Sequence, residues 1–139
     1  MKAISIRQPW ANMVFRTGKS VEVRNLFTNY RGLLAIQAGE IQNNADFLKL
    51  GIDLNLISSY NQKCLIGVVN LVDIRKLSES LWEELRDKHQ IPGKWNEYKH
   101  TYAWFFEDQN EIDPIPYKGL PSLFSLDPKL VDQFVYVKE

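Results

Sequence analysis

Cysteine is almost absent: Cys64 is the single thiol in 139 residues. No internal disulfide can form, and a reducing compartment, the cytoplasm, is the expected location. Histidine is scarce as well. His89 and His100 are the only two, and with one cysteine they give no metal-ligand spacing. Neither a metal nor a cofactor is expected. No stretch approaches the roughly 20 apolar residues that a membrane helix needs. The apolar residues at the start are interrupted at Arg7, too early for a signal peptide. No membrane partner is expected. The chain lacks a G-x-S-x-G elbow, a P-loop and a dinucleotide fingerprint. It also lacks internal repeats, low-complexity segments and any linker long enough to divide domains. Residues 1–139 are read as one domain.

Net charge is missing too, with 17 basic and 17 acidic side chains. That balance argues against a strongly cationic nucleic-acid binder. The distribution is uneven, however. Residues 1–31 hold six bases (Lys2, Arg7, Arg16, Lys19, Arg24 and Arg31) and one acid, Glu22. A local positive field attracts phosphate even on a neutral molecule. The alternative is a cluster in sequence that disperses in the fold.

What is present is enough apolar material for a core, 45% of the residues. Residues 2–7 alternate as a strand, with Ile4 and Ile6 on one face. Pro9 suits the first turn of a helix carrying Trp10, Met13 and Val14, which Gly18 ends. Residues 20–24 alternate again, and 33–38 form a third strand. One or two short helices, broken near Gly51, are expected over 43–59. A long strand is expected over 63–74, with Gly67 as a bulge or a point of close approach. Ser80 and Glu83 match a capping box for a helix that ends near His89. Residues 101–107 form an aromatic strand, 112–117 a proline-limited edge strand, and 134–137 a last strand. Asp127-Pro128 opens a final short helix. Strands dominate without βαβ alternation, so the expected fold class is α+β: a mixed or mostly antiparallel β-barrel with peripheral short helices.

Several segments resemble the ASCH domain family. They are Ser5-Ile6-Arg7-Gln8-Pro9-Trp10-Ala11, Gly18-Lys19-Ser20-Val21-Glu22-Val23-Arg24 and Tyr30-Arg31-Gly32-Leu33-Leu34-Ala35-Ile36, followed by similar pieces around Gly67, Trp104 and Pro116. The second resembles the family signature G-x-K-x-x-E-x-R. Lys19, Glu22 and Arg24 occupy its lysine, glutamate and arginine positions, and the glycine directly precedes the lysine. The resemblance implies a PUA-like β-barrel whose cleft is lined by signature residues, in a family tied to RNA. Among the activities it implies are nucleic-acid binding, RNA cleavage and hydrolysis of an acylated cytidine amide. The amidohydrolase set looks like the signature lysine, a threonine where this chain has Glu22, and a downstream glutamate, for which Glu97 is a candidate. Glu22 cannot act as a hydroxyl nucleophile, so the chain departs from that set.

The signature has a physical reading of its own. In a strand Val21 and Val23 face the core while Ser20, Glu22 and Arg24 share the other face. Lys19, at the turn, can swing over that face. An ammonium, a carboxylate and a guanidinium then come together. Arg24 can grip a phosphate bidentately or fix Glu22. Lys19 can bind phosphate as a point charge or, desolvated, act as a base. The opposing reading is a surface salt-bridge cluster of little energetic worth. Arg7 and Arg31 are further phosphate candidates, and Gln8 is either a reader of a base edge or a helix cap. Trp10 reads as core, and Lys118 and Ser122 as residues at the cleft mouth. The leading expectation is RNA or nucleotide binding through Arg7, Gln8, Lys19, Glu22, Arg24, Arg31, Lys118 and Ser122. The alternative is a hydrolase of RNA or of a modified nucleoside, with Lys19 and Glu22 catalytic. A protein-interaction domain is the second alternative.

Overall fold

A computed structural model describes residues 1–137. Six strands form one sheet: β1 (Lys2–Ile6), β2 (Val21–Arg24), β3 (Gly32–Ala38), β4 (Cys64–Lys76), β5 (Tyr102–Pro116) and β6 (Phe124–Ser125). Their order is β2-β5-β4-β3-β1-β6. β1 runs parallel to β3 and the other pairings are antiparallel. The helices are short: α1 (Trp10–Arg16), α2 (Ala45–Lys49), α3 (Glu79–Glu84), α4 (Arg86–His89) and α5 (Pro128–Val131). Two 3₁₀ turns, Leu54–Ser59 and Trp95–Tyr98, complete the set. The architecture is thus mixed α+β with a six-stranded sheet.

β1 and β2 are connected by α1, whose placement rests on two glycines. Gly18 follows the C-cap Thr17 with φ +75°, the left-handed backbone that ends a helix. Gly67, in β4, lies under the ring of Phe15; a Cβ there would sit 2.3 Å from Phe15 Cζ. The missing side chain lets α1 settle on the sheet beside a register shift in the β4–β5 pairing.

The core fills the inside of this arrangement. Val21, Leu34, Ile36, Leu71, Trp82, Ala103 and Trp104 are fully buried there. The aromatic stretch expected over 101–107 supplies Trp104 and Phe106 to that core. It continues without a break into the expected edge strand, and β5 is 15 residues long. Register shifts against β4 and a positive φ at Asp108 absorb the irregularity that read as an interruption. Pro114 and Pro116 fall in its distal half, where β4 pairs on one side only.

Two expectations need correction. Ser80 does not cap a helix. Ser78 does, accepting from the Leu81 N–H at 3.2 Å, and Glu83 pairs with Arg86 instead. The single helix expected to reach His89 is split at Leu85 into α3 and α4. Residues 134–137 form no strand. They make one isolated bridge, Ile112 to Tyr136, with the Asp113 N–H donating to the Val135 carbonyl and the Val137 N–H to the Glu111 carbonyl. Pairing starts only at Val135 because the Phe134 N–H is held by the Val131 carbonyl at the end of α5.

The sheet is curled. β2 is an edge strand and β1 lies four positions away in the strand order, yet Arg24 Nη1 donates to the Ser5 carbonyl at 3.0 Å. A hollow lies between these two strands.

Candidate functional site

The Gly18–Ser20 linker is clamped from both sides. The Lys19 N–H bonds to the Met13 carbonyl at 3.2 Å, and the Ser20 N–H bonds to the Lys88 carbonyl at 3.1 Å. α4 therefore covers the start of β2, and the Lys19 side chain has no exposure to solvent. Its Nζ donates to the His89 carbonyl at 2.5 Å, lies 5.1 Å from the centre of the Trp10 ring and 3.8 Å from Glu22 Oε1. Burial pushes the ammonium down from 10.5 to about 8, and the neighbouring Glu22 carboxylate partly opposes the fall.

His89 belongs to this support. Its Nδ1 accepts from the Ile91 N–H at 2.9 Å, so Nε2 carries the proton and donates to the Trp82 carbonyl at 3.0 Å. Burial is the main cause holding its pKa below the usual value; the Trp82 bond works against that, and Lys19 and Arg86 add to it. The imidazole stacks on Trp82 at 4.0 Å, and Trp82 stacks on Tyr98 at 4.7 Å. The column fixes the far wall of the hollow.

Glu22 lies between two cations. Oε1 faces Lys19, and Oε2 is 3.5 Å from Arg24 Nη1. Arg24 also lies over the Trp104 ring at 5.8 Å. Arg24 Nε is buried here without a hydrogen-bond partner; Ser5 Oγ, also buried and unpartnered, lies on the far side of Ser5 toward Gly119 and Gln37. An unpaired buried donor is costly, on the order of 1–3 kcal/mol, and the one on Arg24 lies beside the cleft.

The cleft itself encloses about 470 Å³, within the range of small-molecule sites. Ser5, Arg7, Glu22 and Arg24 line it together with Trp10, Asn25, Asp46 and Tyr98. Lys19 lies beneath the lining, in contact with Glu22 and Trp10, rather than swung over the surface.

The expected residues thus divide. Arg7, Glu22 and Arg24 are brought together at the cleft, with Lys19 below. Arg7 is exposed and paired with Asp46 at 3.3 Å. Gln8 is buried: its Oε1 accepts from the Asn12 N–H and its Nε2 donates to Asn12 and to the Asn61 carbonyl, so it caps α1. Arg31 bonds the Thr28 and Tyr30 carbonyls away from the cleft lining. Lys118 lines a different hollow, Ser122 is exposed at a positive φ, and Glu97 is exposed near Gly93. The N-terminal cluster of bases disperses in the fold. Lys2 bonds Ser125 and Arg16 pairs with Glu111, leaving Arg7, Lys19 and Arg24 around the cleft with Glu22 and Asp46. Sequence reasoning passed over Asn25, Asp46 and Tyr98. Asn25 directly follows Arg24, so its nearness to the signature was a signal; Asp46 and Tyr98 have no local one, because they reach the cleft from separate segments.

Among the described residues no three His, Cys, Asp or Glu side chains gather in a way that could hold a metal. No helix there is long and apolar enough to cross a membrane.

The model of the ASCH domain family matches residues 4–116, most of the chain and nearly all of the sheet. The chain belongs to the ASCH domain family. This ASCH domain is 30% identical over 138 residues to activating signal cointegrator 1 of Mus musculus and of Homo sapiens. The match takes in 91% of the chain but only 22% of either relative's length. An ASCH protein from Zymomonas mobilis shares the fold at a TM-score of 0.71, covering 99% of this chain and 97% of that one, at 18% identity. Two point variants of that protein superpose at TM-scores of 0.63 and 0.64.

Proposed function

We propose that this ASCH domain binds RNA or a free nucleotide in the cleft between β1 and β2, and that its curled sheet is the PUA-like barrel the family resemblance implies. The observation that carries the reading is the convergence of Arg24, Glu22 and Lys19 within 4 Å steps under one nucleotide-sized hollow. In this reading Arg24 and Arg7 hold phosphate. Glu22, with a cation on either side, accepts N–H or O–H groups of a base or ribose. Lys19 is too deep to touch phosphate; it neutralises the carboxylate from below and keeps it aimed. Trp10 and Tyr98 give the cleft flat walls suited to a base. The cytoplasm is the proposed location.

The test is a titration of nucleotides and short RNA into the wild-type protein, Arg24→Ala and Glu22→Gln. Binding that weakens with salt and is lost in Arg24→Ala supports the reading. Equal isotherms for all three proteins would sink it.

One observation favours a second reading, a hydrolase of RNA or of a modified nucleoside. A lysine brought to about 8 is partly neutral near neutral pH and so can serve as a base. Lys19 is buried, so Glu22, 3.8 Å away and in the cleft lining, would be the acid/base partner that meets the substrate. Incubation with RNA and with acylated nucleosides tests this, and turnover absent both with and without divalent metal removes it.

A further inference from the structure

A second hollow, of about 860 Å³, lies on the other side of Ser5 and is lined by Gln37, Lys63, Tyr117, Lys118 and Gly119 among others. Ser5 belongs to the linings of both hollows. On the cleft side its carbonyl takes Arg24 Nη1. On the other side Gly119 lies so close that an added Cβ would sit 2.5 Å from Ser5 Oγ and 2.7 Å from Gln37 Oε1. One residue's width therefore separates the Arg24 guanidinium from the second hollow.

The chemistry of that hollow is incomplete in a specific way. Gln37 pairs with Ser5 in the parallel β1–β3 register and is 1% exposed. Its Nε2 donates to the Tyr117 carbonyl at 2.8 Å, but its Oε1 has no partner. Ser5 Oγ is unpartnered as well. Lys118 is exposed and makes no ion pair among the described residues. Lys63 reaches only Glu40, at 3.7 Å, with most of its side chain in solvent. The walls between these cations are apolar, with Leu120 and Pro121 beside Tyr117. An apolar wall, two solvent-exposed ammonium groups, one of them paired with the Glu40 carboxylate that also lines the hollow, and an acceptor lacking a donor suit a nucleoside with its phosphate.

We propose that the ligand is a single strand of RNA at least two nucleotides long, seated across Ser5, with one nucleotide in the cleft and its neighbour in the hollow of Gln37, Lys63 and Lys118. The proposal rests on the nucleotide-binding reading above and narrows it. The linking phosphate lies at the Ser5 ridge, where Arg24 Nε–H and Ser5 Oγ–H are donors without acceptors. A free mononucleotide occupies one hollow and leaves the other empty.

Calorimetric titrations of the full chain with AMP, CMP and UMP, against the 5′-phosphorylated dinucleotides pApA, pCpC and pUpU, test this. ApA, which carries the linking phosphate alone, separates the contribution of the second nucleoside from that of the second phosphate. The expected result is an affinity gain of about tenfold or more for at least one dinucleotide over its mononucleotide. The Lys63→Ala/Lys118→Ala double variant should lose that gain and keep mononucleotide affinity. Both substitutions are at exposed side chains, and a circular dichroism melt checks the fold. Dinucleotides that bind no tighter than mononucleotides overturn the proposal while leaving the cleft reading intact. So does a double variant that weakens both alike or neither. No binding of either ligand, or binding untouched by Arg24→Ala, removes the cleft reading and the proposal together.

Discussion

Arg24, on the edge strand β2, donates from Nη1 to the carbonyl of Ser5 in β1 at 3.0 Å. The same nitrogen is 3.5 Å from Glu22 Oε2. The guanidinium thus joins two distant strands of a curled sheet and holds the carboxylate of the site. Arg24→Ala leaves Glu22 with Lys19 alone and the Ser5 carbonyl without its donor. A loss of about 1–3 kcal/mol in unfolding free energy is expected, together with loss of nucleotide binding. Arg24→Lys should restore part of the stability but not the bidentate grip on phosphate. Denaturant melts and titrations on the two variants separate the roles; a lysine variant that binds as wild type contradicts the assignment.

Lys19 makes the fold sensitive to pH. Its folded value, about 8, is below the ordinary 10.5. Below about pH 8 both folded and unfolded chains hold the proton, and the fold bears the full cost of a buried charge. Between about 8 and 10.5 the unfolded chain binds more protons than the folded one, so stability rises with pH. Lys19→Met has no such proton. The stability of wild type relative to Lys19→Met should grow on the order of 3 kcal/mol across that window. A flat difference between pH 7 and 10.5 in urea melts would show that Lys19 is not desolvated.

Gly67 has no room for a side chain. The Cβ of Gly67→Ala would meet the Phe15 ring at 2.3 Å, and α1 or the ring must move. A cost of about 1–3 kcal/mol is expected, recovered in part by pairing the substitution with Phe15→Leu. Thermal melts of the single and double variants measure it, and independent, additive effects would contradict the contact.

Gln8 is buried against Asn12 and Asn61 as a cap for α1. Gln8→Ala should cost about 1 kcal/mol of stability and leave the preference among nucleobases unchanged. A change in base preference without a change in stability would instead make it a reader of the base.

Much of this was legible in the sequence because it is local. The alternation in residues 20–24 gives β2, Gly18 ends α1, and Asp127-Pro128 starts α5. The grouping of Lys19, Glu22 and Arg24 follows from their spacing on one short stretch. What was not legible depends on distant chain. Nothing near Lys19 shows that α4, 70 residues on, will bury it and offer the His89 carbonyl. The capping serine was misplaced because Ser78 and Ser80 are both plausible caps, and only the Leu81 N–H distinguishes them. Asp46 and Tyr98 join the cleft by tertiary packing alone. The dispersal of the N-terminal bases has the same origin: Arg16 leaves for Glu111, on β5.

The hollow over Lys19, Glu22 and Arg24 is proposed to receive a nucleotide. The most direct measurement is a ¹H–¹⁵N NMR titration that follows backbone amides and arginine Nε–H signals as nucleoside monophosphate is added. Saturable shifts are expected at Ser5, Glu22, Tyr98 and, largest, at the partnerless Arg24 Nε–H. Shifts confined to residues outside the cleft, or none at millimolar ligand, would contradict it.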